Sequence, residues 1–518
     1  LTCGLLFITL SLLLRSHGLL IPLITTLLFT FHPIHSEVVA NIKSLDEILA
    51  LLFTLVSTLC FIKWSSQRGL VYLVLGAALF FLALLSKESA ITFVAIIPLA
   101  FYYFRSSSFK NITVVTISLI IPTAIFLLIR EQVIVKFTEQ STFSYIDNVL
   151  YHAEDIFTRY ATAIKLLGLY LLKSLMPLSL ASDYTVATTQ LTGWGDPLVW
   201  ASLIVHLLLI AIIIKGFKKK SLLSFGLLLY LVSMSIFSNL VIVIGSPFGE
   251  RFLFTPVIGI CLAVASLIAL TGGIRQDAKT DHATFSGFLS QHRLQLIPVI
   301  VICVIMTIKT TARNLEWKSS FTLYEADVRT HPECARLHYF YANELRKVKA
   351  LRSTDPQVRE RYLNESIKEY NEAIRIYPEY KAAIGALGVS YYRLGNKELA
   401  YEYYDKAIQM GTTDATVYNN MAVLFSETGD HQKALEYYER AVIYDPYYFD
   451  GWRNLGNTHY ELRNNAASIE AFRKALTYKD DDALVNFWLA TGLKEAGQEE
   501  EAQFYFNKAY RLDPSLQR

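Results

Sequence analysis

Cysteine is scarce in this 518-residue chain, and no two cysteines form a C-x-x-C pair. The five are Cys3, Cys60, Cys261, Cys303 and Cys334, and all but Cys334 stand inside apolar runs. This spacing argues against a disulfide framework and against a zinc site. A surplus of positive charge is also missing, because the formal net charge is only +3. A charge that small argues against nucleic acid as a partner.

The chain also lacks an initiator methionine and the basic segment that begins a signal peptide. Because Leu1 stands within an apolar run, we expect the natural protein to begin further upstream. Hydrophobic residues make up 53% of the chain, which is too apolar for an ordinary soluble protein, yet the last third is rich in charge. The composition therefore predicts two classes of domain joined in one chain, with the boundary between residues 311 and 312.

Apolar runs that approach the thickness of a membrane recur through residues 1–311. They lie near 1–14, 18–31, 48–62, 70–85, 90–104, 112–129, 161–180, 198–214, 222–244, 252–270 and 296–308. Only helices satisfy their backbone polar groups inside lipid at these lengths, so this domain is predicted to be a polytopic transmembrane helical bundle. Lys165 and Lys173 interrupt the run at 161–180, which ends at Pro177 and is predicted to lie on the surface or to insert only partly.

If that helix does not cross, the loops alternate between a basic side and an acidic side. The positive-inside rule assigns the basic loops to the cytoplasm. The run at 296–308 then exits on the acidic, non-cytoplasmic side, and the C-terminal third shares that compartment. We therefore look for chemistry on the acidic rim.

The polar insert Phe31–Glu47 separates two of the apolar runs. Its apolar residues Ile34, Val38, Ile42 and Leu45 recur at helical spacing, which predicts a short helix along the membrane surface. Its charged residues join others on the same rim as candidate donor-site or acceptor-site residues: His32, His35, Glu37, Asp46, Glu47, Lys87, Glu88, Asp147, Arg159, Asp183, Tyr184, Glu250 and Arg251.

Both structural and functional explanations stay open for these residues. Acids are simply tolerated outside a membrane, and paired charges at helix ends either dock helices or bind a charged headgroup. His32 and His35 could bind a cation together with Glu37, although a histidine at the start of a helix is more often structural. We therefore predict no metal residues by number.

The C-terminal third is periodic. Pro378, Pro446 and Pro514 are separated by two intervals of 68 residues, and Thr412 and Asp480 fall at the midpoints. The resulting 34-residue period is the length of a tetratricopeptide repeat, a pair of helices that stacks into an α-solenoid. About four to five repeats are predicted, preceded by a lone helix over 317–331, with an insert at 351–358. The predicted packing positions are Gly388, Tyr391, Ala407, Ala441, Trp452, Gly456, Phe472, Ala475 and Ala509.

These features together resemble one known family. HPIHSEVVANIKSLDE at 32–47, LLSKES at 84–89, the segment from Asp147-Asn148 to Asp183-Tyr184, ERFLFTP at 250–256 and RNLEW at 313–317 occur in a single order before the repeats. They resemble the transmembrane and tetratricopeptide-repeat (TMTC) family, whose members look like GT-C glycosyltransferases related in design to protein O-mannosyltransferases. The wording of the first motif is similar to that of bacterial members.

The resemblance implies an all-α enzyme that transfers a hexose, mannose by the family's pattern, from a polyprenyl-phosphate sugar to Ser or Thr hydroxyls of exported proteins. It implies an acidic catalytic loop after the first span, which we expect upstream of Leu1. Lys87, Arg159 and Arg251 are then expected to balance the charge of the lipid phosphate. A divalent metal is possible, and the repeats would bind the acceptor or another protein partner.

Two rival functions stay open. One is a non-enzymatic, membrane-anchored scaffold whose repeats recruit exported proteins, and an acid pair in the upstream loop would favour the transferase over it. The other is a transporter, which the runs disfavour because they lack central Gly or Pro breaks with charges. For a bacterial protein, the expected place is the inner membrane with periplasmic repeats, and for a eukaryotic one the endoplasmic reticulum with lumenal repeats.

Overall fold

The computed structural model describes residues 1–105, 108–137, 144–185, 189–271 and 285–517, and α-helices make up its regular structure. It divides into two units, Leu1–Arg336 and Leu337–Arg518. The all-α fold class is confirmed, whereas the domain boundary after residue 311 stays a prediction. The helices of the first part of the chain are α1 Thr2–Leu13, α2 Leu20–Phe31, α3 Ser36–Ala40, α4 Leu45–Gln67, α5 Leu70–Ser86, α6 Phe93–Phe104, α7 Phe109–Phe137, α8 Ile156–Leu175, α9 Pro197–Phe217, α10 Leu222–Met234, α11 Val257–Thr271, α12 Phe285–Gln291, α13 Arg293–Glu316 and α14 Ser320–Thr330.

Four helices of the described residues are long and apolar enough to cross a membrane. A fifth span results if the bent pair Leu20–Phe31 and Pro33–Ala40 is counted as one. Shorter apolar helices occupy five of the other predicted runs, and the orientation of all of them stays a prediction. The four are Ile42–Gln67, Phe109–Val133, Pro197–Phe217 and Arg293–Glu316, and the shorter ones are Thr2–Leu13, Leu70–Ser86, Glu88–Phe104, Leu222–Phe237 and Val257–Leu270.

The polar insert does not form the single surface helix that its periodicity predicts. It folds into two 3₁₀ turns, Pro33–His35 and Ile42–Ser44, on either side of the short α3, and Leu45 already begins α4. Asn41 ends α3 in an extended conformation, and its side-chain oxygen accepts the Lys43 N–H at 3.1 Å. A local cap of this kind competes with a continuous helix.

The break divides the apolar residues of the insert. Ile34 and Val38 are buried, whereas Ile42 is 90% exposed and Leu45 51% exposed. Buried and exposed apolar residues therefore do not form one helical face, and the helical spacing of the insert gave a wrong prediction of its structure.

Helix α8 corresponds to the run at 161–180, which is not among the candidate spans. It begins at Ile156, ahead of the run, because Asp155 caps it by accepting the Phe157 and Thr158 N–H groups at 2.7 and 2.9 Å. It ends at Leu175, ahead of Pro177. The whole segment is thus an amphipathic helix that carries Lys165 and Lys173.

The second unit consists mainly of helical hairpins with short turns. The 351–358 insert follows a π-helical turn at Leu345–Ala350, and Pro356 begins the longest helix of this unit. The helices are α15 Ala335–Glu344, α16 Pro356–Ile376, α17 Lys381–Arg393, α18 Lys397–Gln409, α19 Ala415–Glu427, α20 His431–Tyr444, α21 Phe449–Glu461, α22 Asn465–Tyr478, α23 Ala483–Glu495 and α24 Glu499–Leu512, followed by a 3₁₀ turn at Pro514–Gln517.

Small residues allow the two helices of a hairpin to approach closely. A Cβ atom added at Gly456 would lie 2.6 Å from the Phe472 ring, and one at Gly388 would lie 2.7 Å from the Tyr404 ring. Tyr391 stacks on Tyr403, with 5.5 Å between ring centroids. Trp452 packs beside Phe472 and donates from its indole N–H to the Pro446 carbonyl at 2.8 Å. The alanines at the predicted packing positions are fully buried: Ala407, Ala441, Ala475 and Ala509.

Candidate functional site

The polar insert is joined to the loop between α10 and α11 by an ion pair. Glu37 on α3 is 4% exposed, and its Oε1 atom accepts a hydrogen bond from Arg251 Nη1 at 2.9 Å. The backbone N–H of Arg251 donates to the other oxygen of Glu37 at 3.2 Å. Two charged groups that are 214 residues apart in sequence therefore form one fixed pair.

Glu250, the residue before Arg251, is buried and points to a different loop. Its Oε1 atom accepts hydrogen bonds from the Tyr184 hydroxyl and from the Ala181 N–H, the latter at 2.9 Å. Burial, together with the nearby Glu37 carboxylate, raises the pKa of Glu250 to about 8. Burial and the Glu250 carboxyl hold the pKa of Tyr184 well above its usual range.

Two neighbouring carboxylates, Asp46 and Glu47, lie at the start of α4. Lys87, between α5 and α6, lies 2.6 Å from Asp46 and 3.5 Å from Glu47. Glu47 is 2% exposed and also interacts electrostatically with Arg251. Glu37, Glu47 and Glu250 therefore share one neighbourhood at the ends of several apolar helices. Glu88 faces elsewhere, because it pairs with Arg130 at 3.0 Å and its side chain is 61% exposed.

Asp147 and Asp183 meet at a residue that the sequence analysis did not select. Arg336 lies 2.8 Å from Asp147 through one guanidinium nitrogen and 3.3 Å from Asp183 through another. The same guanidinium donates to the Ile146 carbonyl. The two predicted aspartates therefore hold a pair of loops together through Arg336, and Tyr184 continues from this pair to Glu250.

The two histidines are packed into the protein. His32 is 2% exposed, and its Nδ1 atom accepts the Ile34 N–H at 3.3 Å, which leaves Nε2 to donate to the Ser174 carbonyl at 3.1 Å. The His35 ring lies against Phe29 and Phe254, with 4.4 and 4.9 Å between centroids. Among the residues that the structure describes, no three His, Cys, Asp or Glu side chains form a group that could hold a metal.

Arg159 on α8 lies apart from the Glu37–Arg251 neighbourhood. Its guanidinium stacks over the Tyr160 ring at 5.1 Å. It also lines a cleft of about 410 Å³ together with Glu154, Asp155 and Val243. The structure therefore does not bring Arg159 to the other predicted cations.

Four charged residues of this unit were not among the predicted site residues: Lys173, Arg313, Asp327 and Arg336. Arg313 is 6% exposed and binds the fully buried Asp327 at 2.6 Å. Asp327 in turn accepts hydrogen bonds from the Ser182 N–H and hydroxyl at 2.8 and 2.6 Å. The position of Lys173 in an otherwise apolar run was a signal that could have identified it. Asp327 and Arg336 stand in ordinary charged sequence, so no comparable signal marked them.

Glu250 gives a testable pH dependence. Its pKa rises from 4.5 to about 8 because of burial, so the folded chain binds a proton more tightly than the unfolded chain between these values. Stability then falls as the pH rises through this window, because the unfolded state releases the proton first. We expect the Tm of the full chain in detergent to decrease from about pH 4.5 to about pH 8, and Glu250→Gln to reduce that decrease.

The control is Glu88→Gln, since the Glu88 side chain is 61% exposed. It should keep the wild-type slope. An unchanged slope in Glu250→Gln would show that the Glu250 carboxyl does not hold the proton.

Comparisons with known proteins support the two parts of the chain separately. Models of the tetratricopeptide repeat match residues 381–442, 419–483 and 453–516, which confirms the predicted repeat type there. Of solved structures, the crystal structure of MamA covers 32% of this chain and 97% of its own, at 22% identity and a TM-score of 0.28.

Among curated proteins, the chain is similar to protein O-mannosyl-transferases of the TMTC type. It is 27% identical over 258 residues to TMTC1 of Mus musculus, a match that covers 48% of this chain and 24% of that protein. It is 24% identical over 422 residues to TMTC3 of Homo sapiens, a match that covers 74% of this chain and 42% of that protein. The chain thus spans less than half the length of these distant relatives.

Proposed function

We propose that this chain is part of a membrane glycosyltransferase of the GT-C kind. It would transfer a hexose, mannose in its named relatives, from a polyprenyl-phosphate carrier to Ser or Thr hydroxyls of exported proteins. The observation that carries the proposal is the similarity to protein O-mannosyl-transferases over as much as 74% of the chain. The charged neighbourhood of Glu37, Asp46, Glu47, Glu250 and Arg251 supports it, because buried charges at helix ends are costly to keep.

In the proposed reaction, the acceptor oxygen attacks the anomeric carbon of the sugar. The bond from that carbon to the phosphate oxygen breaks, and the lipid phosphate leaves with the bonding electrons. A carboxylate takes the proton of the hydroxyl. Among the described residues, Asp46 is our candidate for this step, because it is the more exposed carboxylate of its pair and lies 2.6 Å from Lys87.

The Arg251 side chain is held in place by its ion pair with Glu37. A guanidinium with one carboxylate contact keeps further N–H donors for the sugar or the phosphate. Because Glu37 also receives the Arg251 backbone N–H, the turn that carries Arg251 is fixed before any substrate arrives. Preorganisation of this kind favours the transition state over the ground state.

The test is sugar transfer by membranes that contain the full protein, with a labelled polyprenyl-phosphate hexose and a Ser- and Thr-rich acceptor. Asp46→Asn and Arg251→Gln should each lower transfer at least about tenfold, as expected when one charged contact to the transition state is lost. Glu88→Gln is the matched control, because Glu88 belongs to the same rim but pairs outward with Arg130. Full activity in both variants, at equal membrane levels, would remove the two residues from the site.

A second candidate function is a membrane-anchored scaffold, favoured by the repeats that match over residues 381–516. Tetratricopeptide repeats suggest binding of a protein or peptide. A groove of about 510 Å³ in the second unit is lined by Asn454, Asn457, Glu461, Phe487 and Trp488, among others. If the wild-type protein captures exported proteins through this groove and transfers no sugar from any lipid-linked hexose, the scaffold replaces the transferase.

The compartment follows from the same proposal. The acidic rim and the repeats would face the periplasm in a bacterium, or the lumen of the endoplasmic reticulum in a eukaryote. The bacterial type, the upstream catalytic loop and any need for a divalent metal stay predictions.

A further inference from the structure

Two lysines of the first unit bind neighbouring backbone carbonyls. Lys173 on α8 donates from Nζ to the Ser179 carbonyl, and Lys309 on α13 donates from Nζ to the Leu178 carbonyl. Lys173 also donates to the Tyr184 hydroxyl at 3.1 Å. An ammonium group has three donors. In the part of the chain that the structure describes, both lysines contact neutral oxygens, whereas Lys87 and Arg251 contact carboxylates.

A third positive group lies one helical turn beyond Lys309. Arg313 binds Asp327 and Glu316 through Nη1, whereas its Nε and Nη2 atoms have no hydrogen-bond partner among the described residues. Burial lowers the pKa of Lys173, the Glu250 carboxyl raises it, and the positive charges of Lys309 and Arg313 lower it again. The three cations are therefore close enough to repel one another.

In the described residues, the nearby carboxyl groups pair with groups other than Lys173 and Lys309. Asp327 and Glu316 are both paired with Arg313. Glu250 accepts the Tyr184 hydroxyl and the Ala181 N–H, and the Tyr184 hydroxyl lies between it and Lys173. The positions of Lys173 and Lys309 are thus electrically suited to an added anion.

The same place is the end of an exposed apolar face of a helix. On α13, which is a candidate membrane span, Ile297, Val301, Ile305 and Ile308 are 57%, 53%, 62% and 66% exposed. Their spacing of three or four residues puts them on one side of the helix, and Lys309 follows directly after Ile308. A molecule with a long apolar chain and an anionic head would match both features.

We propose that Lys173 and Lys309 bind the phosphate of a polyprenyl-phosphate lipid whose hydrocarbon chain lies along the exposed face of α13. The two buried donors of Arg313 are not accessible to a ligand, so Arg313 contributes charge rather than contact. The choice of a polyprenyl lipid rests on the proposed transferase function. The phosphate site itself rests on the two lysines. The identity of the lipid and the location of the phosphate site can therefore fail independently.

The test measures binding of labelled polyprenyl phosphate to the purified full chain in detergent. Lys309→Gln should weaken binding at least about tenfold, whereas Lys309→Arg should keep most of it, because a charge-assisted contact to phosphate is restored. Lys215→Gln is the matched control, since Lys215 is an exposed lysine that likewise lies near the end of a candidate span, α9. Lys173→Gln provides an independent measurement if Lys309→Gln does not fold.

Competitors identify the ligand. Unlabelled polyprenyl phosphate should displace the label, while the uncharged polyprenol and inorganic phosphate should not. Displacement by polyprenol alone, or wild-type binding in both lysine variants, would overturn the inference. Equal displacement by inorganic phosphate would overturn the assignment of a lipid as the ligand.

If binding depends on the lysines but wild-type membranes transfer no sugar, the site stands and the transferase falls. If Lys309→Gln transfers sugar normally while Asp46→Asn does not, the transferase function stands and the phosphate site at the lysines falls.

Discussion

Replacing Gly259 by alanine should destabilise the first unit by about 3 kcal/mol, the upper part of the usual range for overpacking. Gly259 on α11 faces Gly226 on α10, and an added Cβ atom would lie 2.5 Å from the Gly226 carbonyl oxygen and 2.5 Å from the Tyr230 nitrogen. Both are backbone atoms, so no side-chain rotation relieves the clash and the helices must separate. Close backbone approach at small residues is a common means of packing helices in membranes.

The measurement is the thermal unfolding of the full chain in detergent, followed with a thiol-reactive dye. Cys60, Cys261 and Cys303 are buried and become reactive only on unfolding. Gly4→Ala on α1 is the control, because an added Cβ atom there has nothing within 4 Å. It should leave the Tm unchanged or raise it slightly, since alanine favours a helix by up to about 1 kcal/mol over glycine. Equal Tm values for the two variants would contradict the close crossing.

The same crossing should matter for function. The segment that joins α10 to α11 carries Glu250 and Arg251, so a shift of either helix moves both groups relative to Glu37 and Tyr184. Gly259→Ala should therefore lower any sugar transfer even at a temperature where it stays folded. The site depends on helix packing as much as on its own side chains.

The sequence predicted what is local or periodic. The 34-residue period, set by residues such as Pro446 and Pro514, identified the repeats, because each repeat reuses the same small and large positions. The long apolar runs identified the candidate membrane spans, because length and composition decide whether a helix can span lipid. Adjacent charges such as Glu250 and Arg251 marked a loop whose side chains the structure places in contact with Glu37 and Tyr184.

Partners distant in sequence could not be predicted. Nothing in the sequence around Arg251 indicates that its partner is Glu37, 214 residues away, or that Glu250 beside it turns to Tyr184 instead. Glu88 follows Lys87, yet the two side chains pair in different directions. The helical spacing in Phe31–Glu47 failed for a local reason, since the cap at Asn41 outweighed the pattern.

Removing the carboxylate of Asp327 should have the second large effect. The Arg313–Asp327 pair is almost completely withdrawn from solvent, with the two side chains 6% and 0% exposed. Asp327→Ala would leave Arg313 only Glu316, whose side chain is 36% exposed. Complete loss of the partner of a buried charge costs about 3–5 kcal/mol, so we expect an effect near the lower end of that range. Asp327 also holds the loop after α8, because it accepts the Ser182 N–H and hydroxyl. Asp327→Ala should therefore lower the Tm and increase proteolysis at residues 178–184.

The matched control is Arg329→Gln on the same helix, α14. Arg329 pairs with Glu325 at 2.7 Å, but its side chain is 73% exposed, and a surface pair of this kind contributes roughly 0–1 kcal/mol. A double variant, Arg313→Met with Asp327→Leu, tests the cause, because an apolar pair of similar volume can replace a buried ion pair with little loss. Recovery should be partial, since the Ser182 donors still lack their acceptor. If Asp327→Ala unfolds no earlier than Arg329→Gln, the buried pair does not hold this loop, and the fixed position of Tyr184 beside Glu250 needs another cause.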